Sequence, residues 1–134
     1  MSIQEMIKDH PAVGDDFTES LGLAVRHALY CSAICSSCVD ACSGEEMDMS
    51  RCIRLCSDCS DICTATYRVA SRRTDENRSV IRAMLALCVK ACETCAEECE
   101  KHDNPHCRRC AKMCRETARD AKAAMEDLHD EAVA

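Results

Sequence analysis

The 134-residue chain has no tryptophan, one phenylalanine (Phe17) and two tyrosines (Tyr30 and Tyr67), with three glycines and two prolines. A β-sandwich or barrel needs many β-branched strands and glycine turns, so these scarcities exclude both and leave a helical protein with few turns. Positive charge is short as well: the formal net charge is -7 and the isoelectric point about 5.2. No basic stripe is available to neutralise phosphates, which argues against a nucleic-acid partner; the one basic cluster, Arg68, Arg72 and Arg73, reads as a solvated helix end. No run approaches membrane-spanning length, so no membrane partner is expected. The opening MSIQEMIKDHP shows no basic region followed by an apolar one, so no secretory signal is expected either. The length suits one domain with a real core.

Cysteine is the residue in excess. Three sets repeat one spacing of four, three and four: Cys31, Cys35, Cys38, Cys42; Cys52, Cys56, Cys59, Cys63; and Cys88, Cys92, Cys95, Cys99. A fourth set, Cys107, Cys110 and Cys114, keeps the three and the four but has Asp103 where its first cysteine would stand. Residues three and four apart lie above one another on an α-helix, so each set is a stripe of thiols on one face. The total of 15 is odd, and cysteines on adjacent turns of one helix point the same way, so bridging within a stripe would be strained. Reduced thiols and a cytoplasmic location are the expectation.

Extending the rhythm past the cysteines predicts an all-α, antiparallel up-down-up-down four-helix bundle over 15–130, after an irregular or short-helical segment 1–14. The first seam is Phe17, Leu21, Ala24, Ala28 and the first cysteine set, with Asp15 or Asp16 as cap and Gly44 at the end. The second helix runs from about Asp48 to near Arg73, its cysteines followed by Thr66 and Ala70. The third starts around Asp75 and carries Ile81 and Leu85 before its cysteines, and the step after Cys99 lands on His102. Asn104-Pro105, a cap residue and then proline, announces the fourth, with seam Cys107, Cys110, Cys114, Thr117, Ala121, Ala124 and Leu128. Connections of roughly 4 to 6 residues force antiparallel neighbours. All four stripes then meet in one half of the bundle, about 16 Å long at 1.5 Å per residue. Phe17, Leu21, Ile81, Leu85, Ala121, Ala124 and Leu128 seal the other half.

A single buried cysteine is ordinary packing. Three complete copies of a four-residue pattern are not, and small thiols would leave space that Leu or Ile would fill. Space lined with soft donors is a metal site. Copper(I), one positive charge and matched to thiolate, balances about one ion per thiolate and needs as few as two sulfurs. Zinc wants four tetrahedral ligands, usually from loop-borne Cys-x2-Cys pairs, so a zinc or general heavy-metal buffer is the alternative. A thiol-disulfide redox protein is a further alternative, although no Cys-x2-Cys follows a strand and no single thiol is set apart. Cys31-x3-Cys35-x2-Cys38 matches the triplet of radical SAM enzymes, but those need a larger barrel; iron-sulfur ferredoxins carry a different spacing with a following proline.

Repeated Cys-x3-Cys-x2-Cys-x3-Cys on the inner faces of a four-helix bundle resembles the bacterial copper storage proteins, over about residues 17–128. The resemblance implies a non-catalytic store holding many Cu(I) ions on the fifteen cysteine thiolates, commonly a homotetramer, and a cytosolic branch of the family. It also implies an opening at one end where histidines take up or release the ion, at positions matching His102 and His106. Seam geometry agrees, since His102 continues the third stripe and His106 precedes Cys107. Met47 and Met49 fall at the same end as thioethers or as a cover; Met113 is expected to pack; His10, His27 and His129 read as structural or solvated. Tyr30, Val39 or Val69 on an outer face could serve self-association.

Overall fold

The computed structural model describes residues 2–128. The elements are α1 (Ile3–Lys8), a 3-10 turn (Gly14–Asp16), α2 (Glu19–Ser43), α3 (Ser50–Ala70), α4 (Arg78–Cys99) and α5 (Pro105–Asp127), and no strand occurs among the described residues. Each long helix packs against the next, and α5 closes the ring on α2. The fold is the expected antiparallel four-helix bundle. The start of α5 is also as expected, with Asn104 in an extended cap conformation and Pro105 in the first turn.

Helix starts differ by a few residues from the sequence reading. Thr18, rather than Asp15 or Asp16, occupies the cap position of α2, and the two aspartates lie in the 3-10 turn. Asp16 instead pairs with Arg73 and Arg78, whose guanidinium groups tie the N-terminal segment to the α3–α4 connection. Phe17 therefore does not begin the first seam; it is half-buried in extended backbone. Asp48 precedes α3 and accepts hydrogen bonds from the Ser50 backbone N–H (3.0 Å) and hydroxyl (2.7 Å). Asn77, not Asp75, takes the cap position of α4, because Asp75 is drawn to Arg78 at 2.7 Å. Gly44 ends α2 with φ -92, an ordinary right-handed value, so its left-handed capacity goes unused.

The segment before the bundle is α1, the 3-10 turn and a short connection, folded back on the far end of the bundle. Gly14 supplies the one backbone turn with positive φ (48) among the described residues. At Gly22 the segment approaches α2 so closely that an added Cβ would lie 2.8 Å from Gln4 Cγ and 2.9 Å from Phe17 Cζ. Ile7 and Val13 are buried by this contact.

The core has two parts. One gathers Ile7, Leu21, Ala24, Val25, Ala70, Ile81, Leu85, Ala121, Ala124 and Leu128. The other contains all fifteen cysteines with Ala28, Met49, Ala96, Ala111, Met113 and Ala118. Thr66 and Thr117 are buried at the boundary, their hydroxyls satisfied by the Ile62 carbonyl (2.7 Å) and the Met113 carbonyl (2.8 Å) of their own helices. Among the described residues, α2 alone is long and apolar enough by composition to cross a membrane. This corrects the expectation that no run approaches spanning length; Leu21, Ala24, Val25, Ala28 and the four cysteines of α2 are nonetheless buried in the bundle.

Candidate metal centre

Every cysteine is buried and none is in a disulfide. Because α2 and α4 bring their C-terminal halves, and α3 and α5 their N-terminal halves, to one end, the stripes interleave. Twelve thiols form a continuous network. Near the aliphatic half, Cys63 lies 3.9 Å from Cys88 and 3.7 Å from Cys92, and Cys59 lies 3.7 Å from Cys92. Cys114 joins Cys59 (3.9 Å) to Cys31 (3.7 Å) and Cys35 (3.7 Å). Cys110 bridges Cys35 (3.7 Å) and Cys56 (3.9 Å), and Cys56 reaches Cys95 at 3.4 Å and Cys99 at 3.6 Å. Cys52 completes the set, 3.7 Å from Cys99.

The remaining three thiols lie at the end of the bundle and join the others through Cys38. Cys38 and Cys42 are 3.9 Å apart, and the His106 Nδ1 lies 3.4 Å from Cys38 and 3.6 Å from Cys107. The side chain of Met49 is buried over this end, whereas that of Met47 is exposed. Cys38 belongs to two donor sets: Cys38, Cys42, His106 and Cys107 at the mouth, and Cys38, Cys52, Cys56 and Cys99 just inside. Deeper four-thiol sets also share members, with Cys31 and Cys59 common to two and Cys35 and Cys114 common to the next.

A metal held ~2.3 Å from each sulfur sets S···S separations of about 3.8 Å in tetrahedral, about 4.0 Å in trigonal and about 4.6 Å in linear coordination. The separations above are van der Waals contacts between thiols that coincide with the first two values. The linear pairs that the sequence suggests would need sulfurs now 3.4 to 3.9 Å apart to separate by about 0.7 Å or more on the same geometry. Shared members mean that thiolates would bridge ions, which lowers the number of anions per cation.

Charge is distributed unevenly in this column. Hydrogen bonds from Cys110 and Cys56, with His106 contributing, pull the Cys38 thiol down to about 6. Its contact with Cys38, then with Glu45, pushes the His106 imidazole up, against the effect of burial. Burial and the charge of Cys38 push Cys107 up to about 12, and burial raises Cys42 and Cys52. At the inner end, Cys63, Cys92 and Thr66 hold Cys88 at about 5. Neighbouring thiols also draw down Cys31, Cys59, Cys95 and Cys99, so thiolate character alternates with neutral thiols along the whole column.

The two histidines differ in setting. His106 faces the thiols with Nδ1 and Glu45 Oε1 with Nε2 (3.3 Å), so one ring atom is free to meet a metal while the other is oriented by a carboxylate. His102 Nε2 lies 2.9 Å from Glu98 Oε2; it follows the end of α4, its N–H bonded to the Cys99 carbonyl. Glu98 is buried and also accepts from Arg51 Nε at 3.1 Å and Lys101 Nζ at 3.5 Å. Sequence reasoning named neither Glu45 nor Glu98; both lie off the seams and show only in three dimensions. Asp103, in the place of the missing sixteenth cysteine, is exposed and paired with Arg108. Of the other singled-out residues, Met113 packs against the thiols, His27 is paired with Asp120, and the His10 Nδ1 accepts from the Ala12 N–H at 3.0 Å. His129 lies outside the described residues.

A helical bundle whose core is a column of free thiols, with a histidine among the donors at one end, defines a soft-metal-binding protein. Residues 18–126 match the family model described as copper storage protein, and the chain belongs to that family. It is similar to the Streptomyces lividans copper storage protein Ccsp loaded with 10 copper equivalents, at 34% identity and a TM-score of 0.89, covering 95% of this chain and all of that one. Another structure of a cytosolic copper storage protein from Streptomyces lividans, with five coppers, superposes with a TM-score of 0.79 at 36% identity, covering 83% of this chain and 96% of that one. The Cu(I)-bound copper storage protein BsCsp3 matches at 31% identity and a TM-score of 0.68, over 75% of this chain and 92% of its own. A Bacillus subtilis relative, the cysteine-rich protein YhjQ, is 37% identical over 90 residues, which are 66% of this chain and 80% of that protein.

Proposed function

We infer that this protein stores copper(I) in the cytoplasm, holding many ions on the thiolates of its fifteen cysteines and so keeping them from other ligands. The observation that carries this is the continuous network of buried thiols, spaced for bridged three- and four-coordinate sites. His106 with Cys38, Cys42 and Cys107 forms the loading set. His102, held by Glu98, stands beside it as a secondary donor that must leave its carboxylate to bind. The fold needs no catalytic group for this task, and copper is cargo, not cofactor. Cytoplasmic placement follows the cytosolic Streptomyces relative. Homotetramer formation follows the resemblance; the outer face of α2 exposes Leu23, Leu29 and Tyr30 for it, whereas Val39 and Val69 are partly packed against the core. The bundle is one unit with the N-terminal segment as its cover.

Binding releases thiol protons, so copper affinity falls as pH falls. The test against a zinc buffer is competition: reduced protein is given equal zinc and copper(I) anaerobically, and bound metal is read by elemental analysis. Retention of copper alone is expected. Retention of zinc in preference would overturn the reading.

A further inference from the structure

The mouth thiols can be approached in two ways, and they differ in charge. Along the bundle axis the approach is acidic through Glu45, Glu46 and Asp48 of the first connection, while in the second Glu100 and Asp103 are paired with Arg115 and Arg108 and stand beside Lys101. From the side, a groove of about 290 Å³ between α2 and α5 reaches the same group. It is lined by Ile34, Ser37 and Cys38 from α2 and by His106, Arg109, Lys112, Met113 and Glu116 from α5. Cys38 is only 2% exposed, yet it is among the residues lining this groove, and it is the thiol shared by the mouth and inner donor sets. Arg109 and Lys112 are exposed and have no ion-pair partner among the described residues, while eight other Arg or Lys side chains are matched to carboxylates. In a chain of net charge -7, two cations without a carboxylate partner, against the single carboxylate of Glu116, leave this groove locally positive.

We propose that the α2–α5 groove receives copper(I) as an anionic complex with a small carboxylate-bearing thiol, Arg109 and Lys112 holding the carboxylates while Cys38 takes the ion. This rests on the copper-storage reading and specifies its donor. The groove is at the small end of ligand sites, the size for one carrier molecule of about twenty non-hydrogen atoms, so a second carrier on the same ion would stay in solvent at its open side. The step is ligand exchange without redox change. A Cys38–copper bond forms, one carrier-sulfur–copper bond breaks, and the departing carrier thiolate takes the proton that the Cys38–His106 pair holds, leaving His106 neutral. A second exchange, onto His106 or Cys42, frees the other carrier molecule, and the ion passes inward through the donor set that Cys38 shares. The acidic axial approach repels the same complex and admits only the uncomplexed cation.

Stopped-flow loading of the reduced full-length protein tests this with two sources: copper(I) complexed by excess glutathione, and copper(I) in dilute acetonitrile, which carries no negative ligand. The variant Arg109→Glu/Lys112→Glu is expected to load from the glutathione complex about tenfold more slowly at low ionic strength, and Arg109→Gln/Lys112→Gln by an intermediate factor. Loading from acetonitrile should stay within about twofold, and the saturating number and helical content should be unchanged. Raising ionic strength should slow the wild type with glutathione and erase its advantage over the variants. Equal slowing with both sources, or slowing with neither, overturns the proposal. Failure of the wild type to load from either source overturns the storage reading itself.

Discussion

Cys38 is the residue on which the account turns at the smallest scale. Its thiol is drawn down from an ordinary value of 9.0 to about 6, and His106 beside it is raised. A lowered thiol pKa contributes stability that is full above 9.0 and is lost as pH falls through about 6. A raised histidine does the reverse, contributing below its ordinary 6.5 and losing it as pH rises through the raised value. The ion pair is thus strongest near neutrality. A short iodoacetamide pulse at neutral pH, read by peptide mass mapping, should label Cys38 ahead of Cys42, Cys52 and Cys107. In His106→Ala the pH midpoint for Cys38 labelling should rise, since a donor to the thiolate is gone. Glu98 belongs to the same scale: burial pushes its pKa up, but His102 and Lys101 outweigh it and hold it low. Because Arg51 and Lys101 are largely exposed, Glu98→Gln should cost only about 1 kcal/mol by urea denaturation while freeing His102.

At the scale of the helices, one seam serves two purposes. Leu85 and Cys88 are successive positions on α4, yet they lie in different halves of the core. Leu85→Ala should destabilise the metal-free protein by about 2–5 kcal/mol, leaving copper capacity intact. Cys114→Ala should do the opposite, costing about 1 kcal/mol of stability and lowering the saturating number, because Cys114 belongs to two donor sets. Parallel urea curves and copper titrations separate the two effects. Much of this was legible in the spacing alone, since a step of three and four decides which residues share a helix face, and that fixed the seams from Leu21 to Leu128 and the convergence of the stripes. Phe17 was misplaced because the same step can be counted backwards past a helix start, and no side-chain cap marks the start of α2. Ile7 and Val13 were missed because α1 spans only six residues, too few to show a period. Glu45 and Glu98 approach His106 and His102 through the fold, and a seam does not report on what lies beside it.

For the whole molecule, the two halves give a container closed at one end. The N-terminal segment, Leu128 and the aliphatic residues fill one end, so the proposed storage function has ions enter where the thiols reach the other. Filling joins all four helices through bridged ions, and anything bound only by the folded state stabilises it. Copper-loaded protein should therefore melt at a higher temperature than the metal-free form by calorimetry, with the increment growing with the number of ions bound. A chelator that removes copper should restore the lower value.

The central claim is capacity, and anaerobic titration of the fully reduced protein against a copper(I) indicator measures it directly. With charge balanced at about one ion per thiolate, saturation is expected at roughly 10 to 20 ions per chain. Saturation at one or two ions would contradict storage.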